Sequence, residues 1–253
     1  MELATMRYRI EGAIAHVILN RPETLNAMNL PWAQDFLTVT ETLTREKKVR
    51  LIVISGAGRA FCSGIDLKTL AHDGFPMEWF RIYERALRNL EIMDKIVICA
   101  MHRYCIGGGL QVALASDIRI ASENTEFALT AVKECLIPGM GTFRLSRYIG
   151  LGRAKRIILS GEYFNAQEAY EMGLVDYLVP DADFERRVKE ITDVYLKTNS
   201  EGQRQSKRLL DMSLDLEWEP FLEEYLIAQK TTLSSPEHLE AAKHYREKGE
   251  HRF

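Results

Sequence analysis

The sequence predicts an α/β fold on a mostly parallel sheet, continued by a helical C-terminal region. Three observations carry that expectation. Strand signatures alternate with helical periods through the first half, and glycine-rich turns follow two of the strands. From about residue 140 onward the pattern is almost wholly helical. Strand, helix and strand in alternation imply βαβ units with right-handed crossovers.

In chain order, two alternating runs around 8–10 and 13–20 flank Glu11-Gly12 and predict a β-hairpin. Pro22 stops it. Pro31 then stands in the first turn of a helix whose apolar positions are Trp32, Phe36, Val39 and Leu43. Residues 49–54 (VRLIVI), apolar at every position but Arg50 and rich in β-branched side chains, are as expected of a strand covered on both faces. The loop GAGRAFCSGIDL follows at 56–67. A helix is expected over 77–93, a second buried strand over 96–100, and then the turn Gly107-Gly108-Gly109, opening a helix to about Ser116. A strand over 117–121 comes next. Short helices begin near Gly141, Gly152 and Ala166, and the strand-like LVDYLVP closes at Pro180. Longer helices start near Asp181, Glu201 and Glu217, with a last one at Pro236.

Composition narrows the function. A hydrophobic share of 46% with 27% charged residues excludes a disordered or collagen-like chain. No stretch reaches the length and apolarity of a membrane span, and the first residues lack the basic and apolar regions of a secretory signal. A net charge of −3 with dispersed Lys and Arg gives no footprint for nucleic acid. Cys62, Cys99, Cys105 and Cys135 show no C-x-x-C spacing and read as reduced, mostly buried thiols of a cytoplasmic protein.

The glycine turns carry the chemistry. GAGRAF is half of a dinucleotide fingerprint, but Phe61 occupies the third glycine position and no Gly-Lys-Ser/Thr loop exists. If the two strands are parallel neighbours, both turns lie at the carboxyl edge of the sheet, where open α/β folds bind ligands. In the second turn, three glycines leave backbone N–H groups bare at a helix start, which favours negative charge. Two such donors aimed at one point make an oxyanion hole. The same glycines equally allow close helix packing, and spacing alone does not choose.

The stretches NRPETLNAMN (20–29), GAGRAFCSGIDL (56–67), IGGGLQVALASDIRIA (106–121), IPGMG (137–141) and GLGRAKRIILSGEYFNAQEAYEMGLVDYLVP (150–180) resemble the crotonase superfamily of enoyl-CoA hydratases and isomerases. The tail SSPEHLEAAKHYREKGEHRF also fits, so the resemblance spans essentially the whole chain. It implies a crotonase-like ββα spiral core over 1–195. It also implies a helical trimerisation region over 196–253 within the same functional unit, in a homo-trimer or dimer of trimers. The ligand would be an acyl-CoA or acyl-carrier thioester, with neither metal nor further cofactor. The oxyanion donors would be the N–H groups of Ile65 and Gly108. Ser63, Asp66, Leu67 and Lys68 would line the nucleotide end of coenzyme A, with Leu25 and Ala27 on its other side. Lys248 would contact phosphate from an adjacent subunit.

The chain departs from the family pattern at the acid–base positions. Hydrating members carry a glutamate three residues after the middle glycine and another twenty residues further on. Those positions here are Gln111 and Ala131. Glutamine holds water but cannot exchange its proton, and alanine does neither. The usual glutamate pair is therefore expected to be missing. Glu134, one helical turn beyond Ala131, is the candidate surviving carboxylate, walled by Leu129, Val132, Leu136 and Ile137. Tyr83 and Glu84 lie on the helix after the first glycine loop, within reach of an acyl group. His102 and Asp117 read as structural hydrogen-bonding residues. Two functions compete. One is a lyase or isomerase that stabilises a thioester enolate without the glutamate pair; a decarboxylase rather than a hydratase fits best, with thioester hydrolysis or retro-Claisen cleavage as neighbouring reactions. The other is a catalytically weak acyl-CoA-binding or assembly subunit.

Overall fold

The computed structural model describes residues 3–248, with side chains to 247, and divides into two compact units, Met1–Asp193 and Val194–Phe253. The first opens with the expected hairpin, β1 (Met6–Glu11) and β2 (Ile14–Leu19), paired antiparallel from Met6↔Leu19 to Glu11↔Ile14. Alternation does its work in β2, where Ala15, Val17 and Leu19 turn into the core. Next come α1 (Leu30–Arg45), β3 (Leu51–Gly56), α2 (Leu67–His72), α3 (Met77–Ile92) and β4 (Ile96–Met101). Pro31 sits in the first turn of α1, where a missing N–H costs nothing. The chain continues through β5 (Tyr104–Ile106), α4 (Gly108–Leu114), β6 (Ile118–Ser122) and β7 (Glu126–Ala128). Then follow α5 (Gly141–Ile149), α6 (Leu151–Ser160), β8 (Tyr163–Asn165), α7 (Ala166–Glu171), β9 (Tyr177–Val179) and α8 (Phe184–Lys197). The last of these runs past the boundary between the units. The second unit holds α9 (Ser200–Met212), α10 (Trp218–Leu233) and α11 (Pro236–Lys248).

The main sheet has the order β1-β2-β3-β4-β6-β9, parallel from β2 onward. Strands β3 and β4 are adjacent and parallel, the condition on which a ligand edge at the first glycine turn depended. Their unbroken apolar runs follow from cover on both faces: Leu51, Ile52, Ile54, Val97, Ile98 and Cys99 are all fully buried. Helices α1 and α3 lie against each other, with the Trp32 and Tyr83 rings 5.7 Å apart edge to face and Asn89 Nδ2 donating to Thr40 Oγ1 at 3.1 Å.

One expectation is corrected. The glycine triplet does not follow β4 directly; it follows β5, which belongs to a second sheet, β5-β7-β8. There β5 pairs parallel with β7, and β7 antiparallel with β8. Three-residue strands are too short to show a period, so none of these three was legible. Among the described residues no helix is long and apolar enough to cross a membrane.

Candidate active site

The first glycine turn is held from two sides. Along one, Phe61 and Cys62 N–H donate to His102 and Tyr104 carbonyls at 2.9 Å each, and Ile106 N–H returns to Cys62 O at 2.9 Å. Along the other, Met28 N–H donates to Gly64 O at 2.8 Å and Asp66 N–H to Met28 O at 2.9 Å, a parallel bridge between Met28 and Ile65. Such a bridge uses the carbonyl before and the amide after residue 65, so Ile65's own N–H faces the opposite way. No acceptor among the described residues takes it. Gly64 makes the bend possible: its φ is +90°, and a Cβ there would stand 3.1 Å from Ile106 O. That short distance also shows the two glycine turns touching backbone to backbone.

The second turn is braced from behind by Gly107 N–H donating to Ala128 O at 2.8 Å, which ties it to the end of β7. Gly108 then opens α4, all of whose residues are buried. A first-turn N–H has no partner inside its helix, and no acceptor among the described residues takes that of Gly108. A Cβ on Gly108 would lie 2.5 Å from Met28 Sδ, so any larger residue there must push the Met28 side chain aside. Tyr83, from α3, donates its hydroxyl to Gly108 O at 2.6 Å. Burial, and after it the charge of Glu84, pushes the Tyr83 phenol well above its ordinary range, so it stays a donor.

Both turns line one cavity of about 530 Å³, together with Ser63, Leu67, Gln111, Ala131 and Glu134. Its walls are chiefly apolar, including Leu70, Met77, Phe80 and Leu136. These residues singled out by sequence, with Tyr83 and Glu84 from α3, thus meet around one space. Others stand just behind it. Asp66 caps α2, accepting from Lys68 and Thr69 N–H at 3.1 and 3.3 Å. Its other oxygen pairs with Arg21 at 3.2 Å, and Arg21 also bonds the Ala27 carbonyl. The Leu25–Ala27 loop and the Ser63–Lys68 segment are therefore clasped by one guanidinium. Asn26, which the sequence reading passed over, ties the same loop to Ala57 and Ala60 carbonyls at 2.9 and 2.8 Å. Its only signal was an asparagine between the two expected contact residues. Lys68 is exposed, and the side chain of Lys248 lies outside the described residues.

The acid–base positions differ from expectation in one respect. Residues Thr130–Glu134 form a 3-10 turn, in which positions three apart eclipse, so Glu134 does align with Ala131. The apolar wall expected around Glu134 does not close. Glu134 is exposed and Ile137 is 79% exposed, because the segment after the 3-10 turn runs along the surface. Gln111 is buried, and its Oε1 accepts from Gly141 N–H at 3.2 Å.

A second carboxylate enters from α3. Glu84 Oε2 pairs with Arg144 at 2.7 Å, and Oε1 accepts from Met140 N–H at 3.1 Å. Arg144 also pairs with Glu91 at 2.5 Å. Burial works against the Arg144 charge, and the bonds to Glu91 and Glu84 more than offset it, leaving the guanidinium more basic than usual. Nothing in the sequence marked Arg144 beyond an arginine beside Leu145 in an amphipathic stretch. His102 bonds Gly58 O at 3.1 Å and Asp117 accepts from Val97 N–H at 2.7 Å, both structural as read. Among the described residues no group of three or more His, Cys, Asp or Glu is placed to hold a metal ion.

Comparison with known proteins follows the same line. Residues 9–253 match the family model described as enoyl-CoA hydratase/isomerase. The chain is 32% identical over 218 residues to the short-chain-enoyl-CoA hydratase of Clostridium acetobutylicum, covering 85% of this chain and 84% of that one. It is 34% identical over 188 residues to the peroxisomal Delta(3,5)-Delta(2,4)-dienoyl-CoA isomerase of Arabidopsis thaliana, covering 68% of each. Among solved structures, an enoyl-CoA hydratase from Bacillus anthracis superposes with a TM-score of 0.91 at 28% identity over 97% of both chains. A Thermobifida fusca protein in complex with acetoacetyl-CoA gives 0.85 at 28% identity, covering 91% of this chain and 95% of that one.

Proposed function

The chain belongs to the enoyl-CoA hydratase/isomerase family, and from that premise we propose that it stabilises an acyl thioester enolate between the N–H groups of Ile65 and Gly108, acting as a decarboxylase rather than a hydratase. One observation carries the reading: two amides without acceptors, from turns in backbone contact, in the wall of one cavity. Fixed donors of this kind favour charge that develops on the thioester oxygen. The departure at Gln111 and Ala131 supports the choice of reaction. In a malonyl-type substrate the bond to the carboxylate carbon breaks and carbon dioxide leaves. The electron pair moves into the thioester as an enolate, and the α-carbon then takes a proton. No base is needed to make the enolate. Ser63, Leu67 and Lys68, with Leu25 and Ala27 behind the Arg21–Asp66 clasp, are suited to hold the pantetheine and nucleotide of coenzyme A, or the arm of a carrier protein.

Turnover of malonyl-type, glutaconyl-type and crotonyl thioesters tests this. The carboxylated thioesters should be consumed, while crotonyl-CoA hydration should fall about 10²–10⁴-fold below that of a dedicated hydratase. Crotonyl hydration at a hydratase's rate would overturn the reaction assigned. The empty position at Ala131 also favours a second reading, a catalytically weak acyl-CoA-binding subunit. Thioester binding with no turnover across the panel would select it. Exposed Leu210, Trp218, Leu226 and Ile227 in the helical C-terminal unit support its role in a homo-trimer or dimer of trimers, which sedimentation would measure.

A further inference from the structure

The cavity holds a carboxylate that neither glutamate position of the family accounts for. Glu84 lines it, keeps 19% of its side-chain surface, and comes from α3 rather than from the segments that carry Gln111 and Ala131. Its placement is fixed at both oxygens: Arg144, itself buried, takes Oε2, and the Met140 amide takes Oε1. Such a carboxylate loses little freedom when a ligand arrives. Gln111 converges on the same place. The point where a Cβ on Gly139 would stand is 3.0 Å from Glu84 Oε1, 2.9 Å from Gln111 Oε1 and 3.4 Å from Gln111 Nε2. Only a glycine at 139 leaves the two side chains together. Gln111 Oε1 is engaged by Gly141 N–H, which leaves its Nε2 hydrogens as donors; no acceptor among the described residues takes them. One side chain thus offers donors and its neighbour a charged acceptor, the combination that orients a water.

We infer that Glu84 is the acid–base residue of the acyl site, and that with Gln111 it holds the water that passes a proton to or from the substrate's α-carbon. This rests on the enolate reading above and deepens it. After loss of carbon dioxide, the enolate's electron pair takes a proton from that water. The hydroxide left behind combines with carbon dioxide to give bicarbonate. With a saturated acyl thioester the step runs as an exchange. The α C–H bond breaks, its proton goes through the water to the Glu84 carboxylate, and its electron pair enters the thioester oxygen at Ile65 and Gly108. A solvent proton then returns to carbon. Glu134, exposed at the cavity's edge, lacks any comparable hold.

Exchange of the α-hydrogens of acetyl-CoA and butyryl-CoA in heavy water, followed by NMR, reads this directly. The wild-type protein should exchange them. Glu84→Gln should slow exchange by about 10²-fold or more with thioester affinity within about twofold, whereas Glu185→Gln, on the exposed face of α8 and outside the cavity, should leave it at the wild-type rate. Glu84→Asp keeps a charge for Arg144 and withdraws the carboxylate by one methylene. It should melt close to wild type and still exchange at least about tenfold more slowly, so it decides the matter if Glu84→Gln does not fold. Wild-type exchange in Glu84→Gln or Glu84→Asp, or its loss in Glu185→Gln, overturns the assignment. So does a wild-type protein that binds thioester without exchanging it. Exchange lost in Gly108→Pro but kept in Glu84→Gln sinks Glu84 and leaves the enolate reading standing, while failure to bind any thioester sinks that reading.

Discussion

The two glycine turns present the same chemical group by different means. At Ile65 the free N–H comes from strand-like pairing: the neighbours on either side are bonded to Met28, and the residue between is forced to face away. At Gly108 it comes from a helix start, where the N–H lacks a partner by geometry and is backed by the helix dipole. The first device tolerates a large side chain, and isoleucine occupies it. The second accepts one only if Met28 moves, because the end of the Met28 side chain fills the space where a Cβ would go. Met28 thus serves both turns, bonding one through its backbone and packing the other with its side chain. A pair of donors built on one shared residue moves together or not at all.

The largest effect should come from removing a donor outright. Gly108→Pro deletes the N–H while proline remains acceptable at the first position of a helix. Turnover on the preferred thioester should fall by on the order of 10²–10³-fold in steady-state kinetics, provided Met28 makes room. A milder loss would mean that Ile65 alone carries the oxyanion. Next, Gly64→Ala asks whether the strand-like turn depends on its φ of +90°. The strain should lower stability by about 1–3 kcal/mol in denaturant titrations and reduce kcat as the Ile65 amide shifts. Unchanged kcat with lowered stability would show that the Met28 bridge alone fixes that amide. The smallest effect is expected of Tyr83→Phe, which removes the 2.6 Å bond to Gly108 O. Stability should fall by about 1 kcal/mol, and kcat by less than tenfold, since both donors persist. A larger kinetic loss would place the hydroxyl in the chemistry.

What the sequence disclosed follows from how each feature is built. The runs LIVI (51–54) and IVICA (96–100) read as strands because burial on both faces leaves no polar interruption, and they were found adjacent and parallel. The glycines made the two turns legible, but Ile65 and Gly108 as their donors came only from the family resemblance, because the same glycines equally suit close helix packing. The strands β5, β7 and β8 were not, since three residues hold no period. The placement of Glu84 was hidden for another reason: its partner Arg144 lies sixty residues away, and a lone arginine on an apolar helix face states nothing about where it points. Glu134 shows the converse. Its alignment with Ala131 was readable from spacing, but its exposure was set by the path of the following loop.

That second sheet also sets an order on how the protein can be made. The first turn takes its partners from residues up to Ile106, so a growing chain holds them all soon after β5 emerges. The second turn does not close on its own. Its brace is the Ala128 carbonyl, and β7, which carries Ala128, finds its outer partner only in β8, ending at Asn165. On a ribosome, where the N-terminal part of the chain appears first, the cavity is therefore half assembled for a long interval. A nascent chain in that interval has the first turn in position and the second still without its outer support. The cavity is completed by β8, which also brings Tyr163 to its wall, well after both glycine turns have been made.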